Sequence, residues 1–202
     1  QKSNHENETH VIVIGESTSR HHMSLYDYSR VTNPRLSVNN NIISFSQVSS
    51  PHAHTFPALE KALSFKSLDS NKYDLQDGTL LDLLSQGGYY TTWLSNQALS
   101  GKFETPVSVL ASKAGQKIFS NTISGSEPYD EILLQAFKEA VIKKGNKVIF
   151  VHLMGTHMSY VDRYPEKFNH FKATNDTSFL TLSQQKYINA YDNAVRYNDH
   201  IV

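Results

Sequence analysis

The segment VIVIG, Val11 to Gly15, is a run of four β-branched residues closed by glycine, with Glu16 directly after it. A continuous apolar run of that length reads as a strand buried on both faces of a parallel sheet. Two further runs share the pattern: YYTTWL (Tyr89–Leu94), after the Gly87-Gly88 break, and KVIFVHL (Lys147–Leu153), after the Gly145-Asn146 turn. A weaker strand is expected at Ile42–Val48, where IISFSQV alternates. Apolar spacing of three or four residues predicts helices over Thr55–Phe65, Thr79–Ser85, Tyr129–Lys143 and Ser183–Val202. Strands alternating with helices define an α/β class, a mostly parallel sheet sandwiched by helices. Segments 95–128 and 155–182 are long for loops of a compact domain, and such loops are usually functional or mobile.

Open α/β sheets collect ligands beyond the carboxyl ends of their strands. Here those positions hold Gly15, Glu16, Ser17 and Thr18 after the first strand, and Ser49, Ser50, His52, His54 and Thr55 after the weak second. Ser95, Asn96 and Gln97 follow the third, and Gly155, Thr156 and His157 the fourth. The chain has no cysteine, so disulfides and thiol chemistry are excluded, and His, Asp, Glu and hydroxyl groups must carry any reaction. Nineteen basic and nineteen acidic residues cancel, which gives no pull toward nucleic acid. No run of about eighteen apolar residues exists to span a bilayer, so the chain as it stands reads as a soluble piece. The polar opening QKSNHENET, residues 1–9, reads as a linker or an artificial start.

Two readings of Glu16 stand side by side: a cap for the following helix, or a ligand or base. Thr55 is equally divided. TFPALE can be read as a helix N-cap with Pro57 in the first turn, yet a hydroxyl at a helix N-terminus is also where amides and dipole favour a phosphoryl-accepting nucleophile. His157, beside Gly155 at a strand end, is better placed for function than most single histidines, and His52 and His54 could line the approach to Thr55. His152 reads as a hydrogen-bonded core residue, His21 and His22 as surface, and Asp199-His200 as part of a solvated helix face.

GESTSRHHMSLYDYSRVTNPRL, SSPHAHTFPALEKALSF, HLMGTHMSYVDRYPEKF and YINAYDNAVRYNDHIV, in that order over nearly the whole chain, resemble the phosphoethanolamine transferases of the bacterial inner membrane. These belong to the alkaline phosphatase and sulfatase superfamily. The likeness is to the branch that modifies the lipopolysaccharide core rather than the disulfide-rich lipid A branch. The resemblance implies that Glu16 binds a catalytic zinc and that Thr55, also a zinc ligand, takes phosphoethanolamine from phosphatidylethanolamine to pass to lipopolysaccharide. It implies that His157 lies near the lipid headgroup or a second metal, and that Asn96 and Gln97 contact substrate. It places the catalytic domain in the periplasm, anchored through a membrane-spanning half absent from this sequence. Asp27 departs from a signature that commonly has glycine.

A larger departure is the downstream SDHGE motif, which completes the family's zinc site and has no counterpart before Val202. Residues 10–202 are therefore expected to be the N-terminal portion of a catalytic domain, with an incomplete zinc site and an unpaired sheet edge able to meet another copy. Other readings are a hydrolase of the same superfamily that uses water, or a non-catalytic domain that binds lipid headgroups or a partner. HAHTFPALE lacks the arginine of the formylglycine sulfatase pattern, which weighs against a sulfatase of that kind.

Overall fold

A computed structural model describes residues 7–67, 69, 78–97, 105–121, 128–173 and 179–202. The polypeptide divides into two compact units, the first comprising residues 1–14, 49–128 and 132–153 and the second 15–48, 129–131 and 154–202.

The first unit holds a four-stranded sheet of β1 (Thr9–Ile14), β2 (Tyr90–Ser95), β3 (Gln116–Phe119) and β4 (Lys147–His152), in the order β1-β4-β2-β3. Every pairing in it is parallel, with Ile14 opposite His152 and Ser95 opposite the same residue on the other side. Helices α1 (Thr55–Leu63), α2 (Leu80–Gln86), α3 (Thr105–Ala111) and α4 (Leu133–Val141) belong to the same unit. The core joins Leu59 and Leu63 of α1, Leu81 of α2, and Val107 and Leu110 of α3 to Trp93 of β2 and to Val148 and Phe150 of β4. Trp93 and Phe150 stack at 5.4 Å between ring centroids. Thr79 caps α2 with a capping box closed by Asp82, which sets where that helix starts.

Several expectations are corrected here. β4 is buried along its whole length, as a central strand should be, whereas β1 is an edge with Val11 and Val13 each more than 40% exposed. Burial on both faces therefore fails for β1, because no described element covers one of them. The alternating Ile42–Val48 segment forms no strand; Ile43, Phe45 and Val48 are exposed, so alternation there has no packed face to serve. β3 and α3 lie within what sequence patterning leaves as a long loop. The expected linker also ends earlier: Gly145 N–H donates to Asn7 Oδ1, Glu8 N–H donates to Asn146 Oδ1, and Thr9 already pairs in β1.

The second unit is organised on α5 (Leu182–Ile201), whose N-terminus carries a capping box between Thr181 and Gln184. Its buried face is unusually polar, with Asn189, Asp192, Asn193 and Asp199 beside Tyr191, Ala194, Val195 and Tyr197. Buried polar groups require partners. Asn193 meets this by accepting the N–H groups of His170 and Phe171 and donating to the Phe171 carbonyl, which ties the preceding loop to the helix. Asp199 accepts the N–H groups of Arg35 and Leu36 at 2.9 Å each. Asp199 is therefore buried, and the reading of Asp199-His200 as a solvated face is wrong for Asp199. Among the described residues no helix is long and apolar enough to cross a membrane.

Candidate active site

In the first unit, Thr55 is the first helical residue of α1 rather than its cap. His54 occupies the cap position with extended backbone (φ −104°, ψ 145°) and makes no side-chain capping bond. The capping reading of Thr55 is thereby excluded, and its half-buried hydroxyl sits in the first turn, where helix amides have no intrahelical acceptor. Pro57 is tolerated in that turn because the missing N–H would have had no helical partner. The backbone leading in is held by histidine: His54 N–H donates to His52 Nδ1 at 3.0 Å, and the two imidazoles lie 5.4 Å apart. Accepting at Nδ1 places the proton of a neutral His52 ring on Nε2. Farther along α1, Glu60 and Lys66 form a buried ion pair at 3.0 Å, which fixes the helix end.

Asn96 and Gln97, also in the first unit, both spend their side-chain amides on backbone. Asn96 is fully buried and donates to the Pro128 carbonyl at 2.7 Å; Gln97 donates to the Leu153 carbonyl at 2.9 Å. Each thus pins a segment leaving the sheet. His152, as expected, is buried in the core, with Nδ1 3.4 Å from Ser95 Oγ.

In the second unit the loop from Gly15 to Ser19 is clamped by backbone contacts. Gly155 has φ +59°, and a Cβ there would stand 2.8 Å from both the N and the O of Glu16. Only glycine allows that approach. Thr156 then gives both its N–H and its hydroxyl to the Glu16 carbonyl, each at 2.9 Å, and the Thr18 hydroxyl lies 3.3 Å from the same oxygen. The turn carrying Gly155 is itself fixed by Asp130, whose buried carboxylate accepts the N–H groups of Met154 and Gly155 at 2.7 and 2.9 Å. On the other side, Tyr191 donates to the Ser17 carbonyl and accepts the Ser19 N–H, both at 2.7 Å. The half-buried Glu16 carboxylate accepts from Ser17 Oγ at 2.8 Å, and Ser17 adopts a left-handed φ of 56°. Glu16 does not cap the helical turn that follows it: Arg20–His22 is capped by Ser19, whose side chain accepts the His21 N–H. His157 is exposed, with Nδ1 2.9 Å from the Met158 carbonyl, which leaves Nε2 as the lone-pair nitrogen of the neutral ring.

His22 is not a simple surface residue. Its Nδ1 lies 2.6 Å from Asp192, a fully buried carboxylate that also accepts from Tyr28 at 2.9 Å and from Arg30 at 2.8 Å. Burial and the Asp192 carboxylate push the Tyr28 hydroxyl up to about 12. Asp27, where the signature commonly has glycine, takes a left-handed conformation (φ 67°), which explains glycine at that position.

The sulfatase family profile matches residues 8–202. The chain belongs to the sulfatase family. Phosphoethanolamine transferase EptC of Escherichia coli (strain K12) is 34% identical over 210 residues, which take in 100% of this chain and 36% of that protein. The C-terminal periplasmic domain of EptC from Escherichia coli, solved in complex with zinc, superposes with a TM-score of 0.86 at 33% identity, over 98% of this chain and 58% of that one. The integral membrane protein lipooligosaccharide phosphoethanolamine transferase A from Neisseria meningitidis gives 0.81 at 27% identity, over 100% and 38%. The chain thus spans about a third of the length of the curated relatives it matches.

Sulfatase-family membership raises the question of a metal. Zinc in a protein takes about four ligands from His, Cys, Asp or Glu. Among the described residues, no group of three or more such side chains gathers where a metal could sit. Glu16 offers one carboxylate of suitable chemistry, so the described residues supply at most part of a zinc shell.

Asp130 and Tyr191, which help to hold the Glu16 loop, escape sequence reasoning, and Thr156 stands out only as a strand-end residue, not as a support of that loop. Asp130 sits at the head of a helical pattern and looks like a first-turn acid, while Tyr191 looks like one more apolar position of α5.

Proposed function

We propose that this chain is part of a phosphoethanolamine transferase that moves the phosphoethanolamine group of phosphatidylethanolamine to a hydroxyl of lipopolysaccharide through a covalent threonine intermediate. The observation that carries this reading is 34% identity to a phosphoethanolamine transferase over the whole chain, together with a threonine hydroxyl in the first turn of α1. In the first half-reaction, Thr55 Oγ attacks phosphorus, the bond to the diacylglycerol oxygen breaks, and diacylglycerol leaves with the threonine proton. In the second, an acceptor hydroxyl attacks the same phosphorus, the Thr55–phosphate bond breaks, and the acceptor's proton passes to Thr55 Oγ. Amides and dipole at the start of α1 favour the charge that develops on the phosphoryl oxygens.

Zinc is the metal we propose, with Glu16 and Thr55 among its ligands and the remainder supplied from outside the described residues. When bound, it lowers the pKa of a ligating hydroxyl and offsets phosphoryl charge. His157 is assigned to the lipid headgroup and His54 to the approach to Thr55. Asn96 and Gln97, just beyond β2, are assigned to contact with the substrate. A membrane-anchored parent with this part in the periplasm completes the reading.

The test is intact-mass analysis of the full-length protein after incubation with phosphatidylethanolamine. A phosphoethanolamine adduct is expected, lost in Thr55→Ala; an adduct that survives Thr55→Ala would refute the nucleophile. Glu16→Ala should lower bound zinc, and unchanged stoichiometry would remove Glu16 from the ligand set.

A further inference from the structure

Within the second unit, residues 158–164, residues 169–173 and the N-terminal half of α5 surround a cavity of about 690 Å³. That size suits a small organic ligand. Its walls combine two kinds of group. Tyr160, Phe171 and Tyr187 supply aromatic surface, with Met158 and Val161 beside them, while Lys172 and Lys186 supply positive charge; among the described residues that line it there is no Asp or Glu.

The aromatic walls are held in place before any ligand arrives. The Tyr160 ring packs 5.0 Å from Tyr187 and edge-on 4.8 Å from Tyr191. A hydrogen bond with Tyr187, together with burial, pushes the Tyr160 hydroxyl up to about 12, so it stays neutral and keeps its proton at physiological pH. Phe171 is fixed through its backbone, whose N–H and carbonyl are both bonded to Asn193, and through the Arg30 guanidinium 5.3 Å from its ring centre. Tyr187, Met158 and Val161 remain more than half exposed, and both lysines are exposed.

These features select among ligand classes. A purely apolar ligand would leave two lysines without a use, and a bare phosphate would leave the aromatic walls without one. A sugar ring with a phosphate uses both: its C–H faces pack on aromatic rings, and its phosphate meets the two ammonium groups. We propose that this cavity binds a phosphorylated saccharide, with Tyr160, Phe171 and Tyr187 against the sugar and Lys172 and Lys186 on the phosphate. Its physiological source is the phosphorylated saccharide of the glycolipid acceptor, an assignment that rests on the transferase reading above.

The test measures binding to the full chain by titration calorimetry with four probes: glucosamine 6-phosphate, methyl glucoside, inorganic phosphate and glycerol 3-phosphate. Glucosamine 6-phosphate should bind about ten-fold tighter than each of the other three, since each lacks either the ring or the charge. Lys186→Gln and Tyr187→Ala should each weaken it about ten-fold, and because both side chains are exposed the fold should persist by circular dichroism. Thr55→Ala should bind it unchanged. Equal binding of inorganic phosphate would overturn the proposal in favour of unspecific charge attraction, and equal binding of glycerol 3-phosphate in favour of a phospholipid headgroup site. Unchanged affinity in both variants, or no binding of any probe, would also overturn it. No donor lipid is present, so the outcome is separable from the mass test: an adduct on Thr55 without sugar-phosphate binding refutes the cavity alone, and the reverse refutes the transferase alone.

Discussion

Replacing Gly155 by alanine separates the cost of a left-handed backbone from the cost of a collision, because the molecule contains its own control. At Gly155, φ is +59° and the added Cβ would meet two backbone atoms of Glu16 at 2.8 Å and its Cα at 3.3 Å. At Gly145, φ is +91° and no atom lies within 4 Å of the added Cβ. A left-handed conformation costs an L-residue about 1–2 kcal/mol. Gly145→Ala should therefore lose about that much and no more. Gly155→Ala bears the same cost plus that of inserting a methyl into a packed contact, about 1–3 kcal/mol, for a total of about 2–5 kcal/mol. The atoms that must yield are main chain, so relief means lengthening the two 2.9 Å bonds from Thr156 to the Glu16 carbonyl. Urea unfolding of the parent chain and both variants measures the difference. If Gly155→Ala costs no more than Gly145→Ala, the Glu16 loop is not rigidly clamped and the structural case for a preset backbone at Glu16 falls.

Four further outcomes follow from the second unit. Asp192→Asn removes the charge that Arg30 and His22 face in a fully buried position and should cost about 3–5 kcal/mol in urea unfolding; a loss within experimental error would mean those groups find other partners. Asp27→Gly relieves a left-handed φ of 67° and should raise stability by about 0.5 kcal/mol after the entropy of glycine is counted, so a lowered urea midpoint would contradict the backbone reading. Because the folded Tyr28 pKa is about 12 against 10 when unfolded, the native state holds the extra proton between those values. Stability from this residue is full below pH 10 and is lost as the pH rises to 12, and Tyr28→Phe should flatten that part of the stability profile. Tyr187→Phe removes the hydrogen bond that is the largest cause of the raised Tyr160 value, so tyrosinate absorbance should show one group ionising earlier; an unchanged titration would reassign the cause to burial.

The parallel strands were legible where apolar runs ended in turn chemistry: Lys147–His152 after Gly145-Asn146 and Tyr90–Ser95 after Gly87-Gly88 match the expected segments within a residue at each end. Helices α1, α2 and α4 were legible through spacing, while α3 was not. Patterning failed where the deciding fact was tertiary. Val11 and Ile149 look alike in sequence, yet one lies on an edge strand and is exposed while the other is fully buried in a central strand. Ile42–Val48 alternates although Ile43, Phe45 and Val48 are all exposed, and β3 is only four residues long, too short for its period to register. α5 defeated the simple amphipathic rule from the opposite direction. Its buried side is chosen for hydrogen bonding as much as for apolarity, so Asp192, Asn193 and Asp199 look like surface residues until the loops they hold are known.

The site divides along the same line. Glu16 and Thr55 could be singled out because each stands at a boundary that local sequence marks, a strand end or a helix start. What fixes the Glu16 loop could not be linked to it, since its supports lie 114 to 175 residues away along the chain: Gly155 and Thr156 stand out as strand-end residues, but not as partners of Glu16, and Asp130 and Tyr191 do not stand out at all. The GES motif also changes meaning once those supports are known. Ser17 gives its hydroxyl to the Glu16 carboxylate and its carbonyl to Tyr191, and Thr18 approaches the Glu16 carbonyl, so the residues after Glu16 serve its orientation. A loop whose main chain is already ordered loses little further backbone entropy when its carboxylate takes a partner, and ordering of that kind is among the main costs of assembling any binding site. The motif is therefore one acidic residue on a loop whose backbone its own neighbours hold, and the Asp130-anchored Gly155 turn is the wall against which that loop is set.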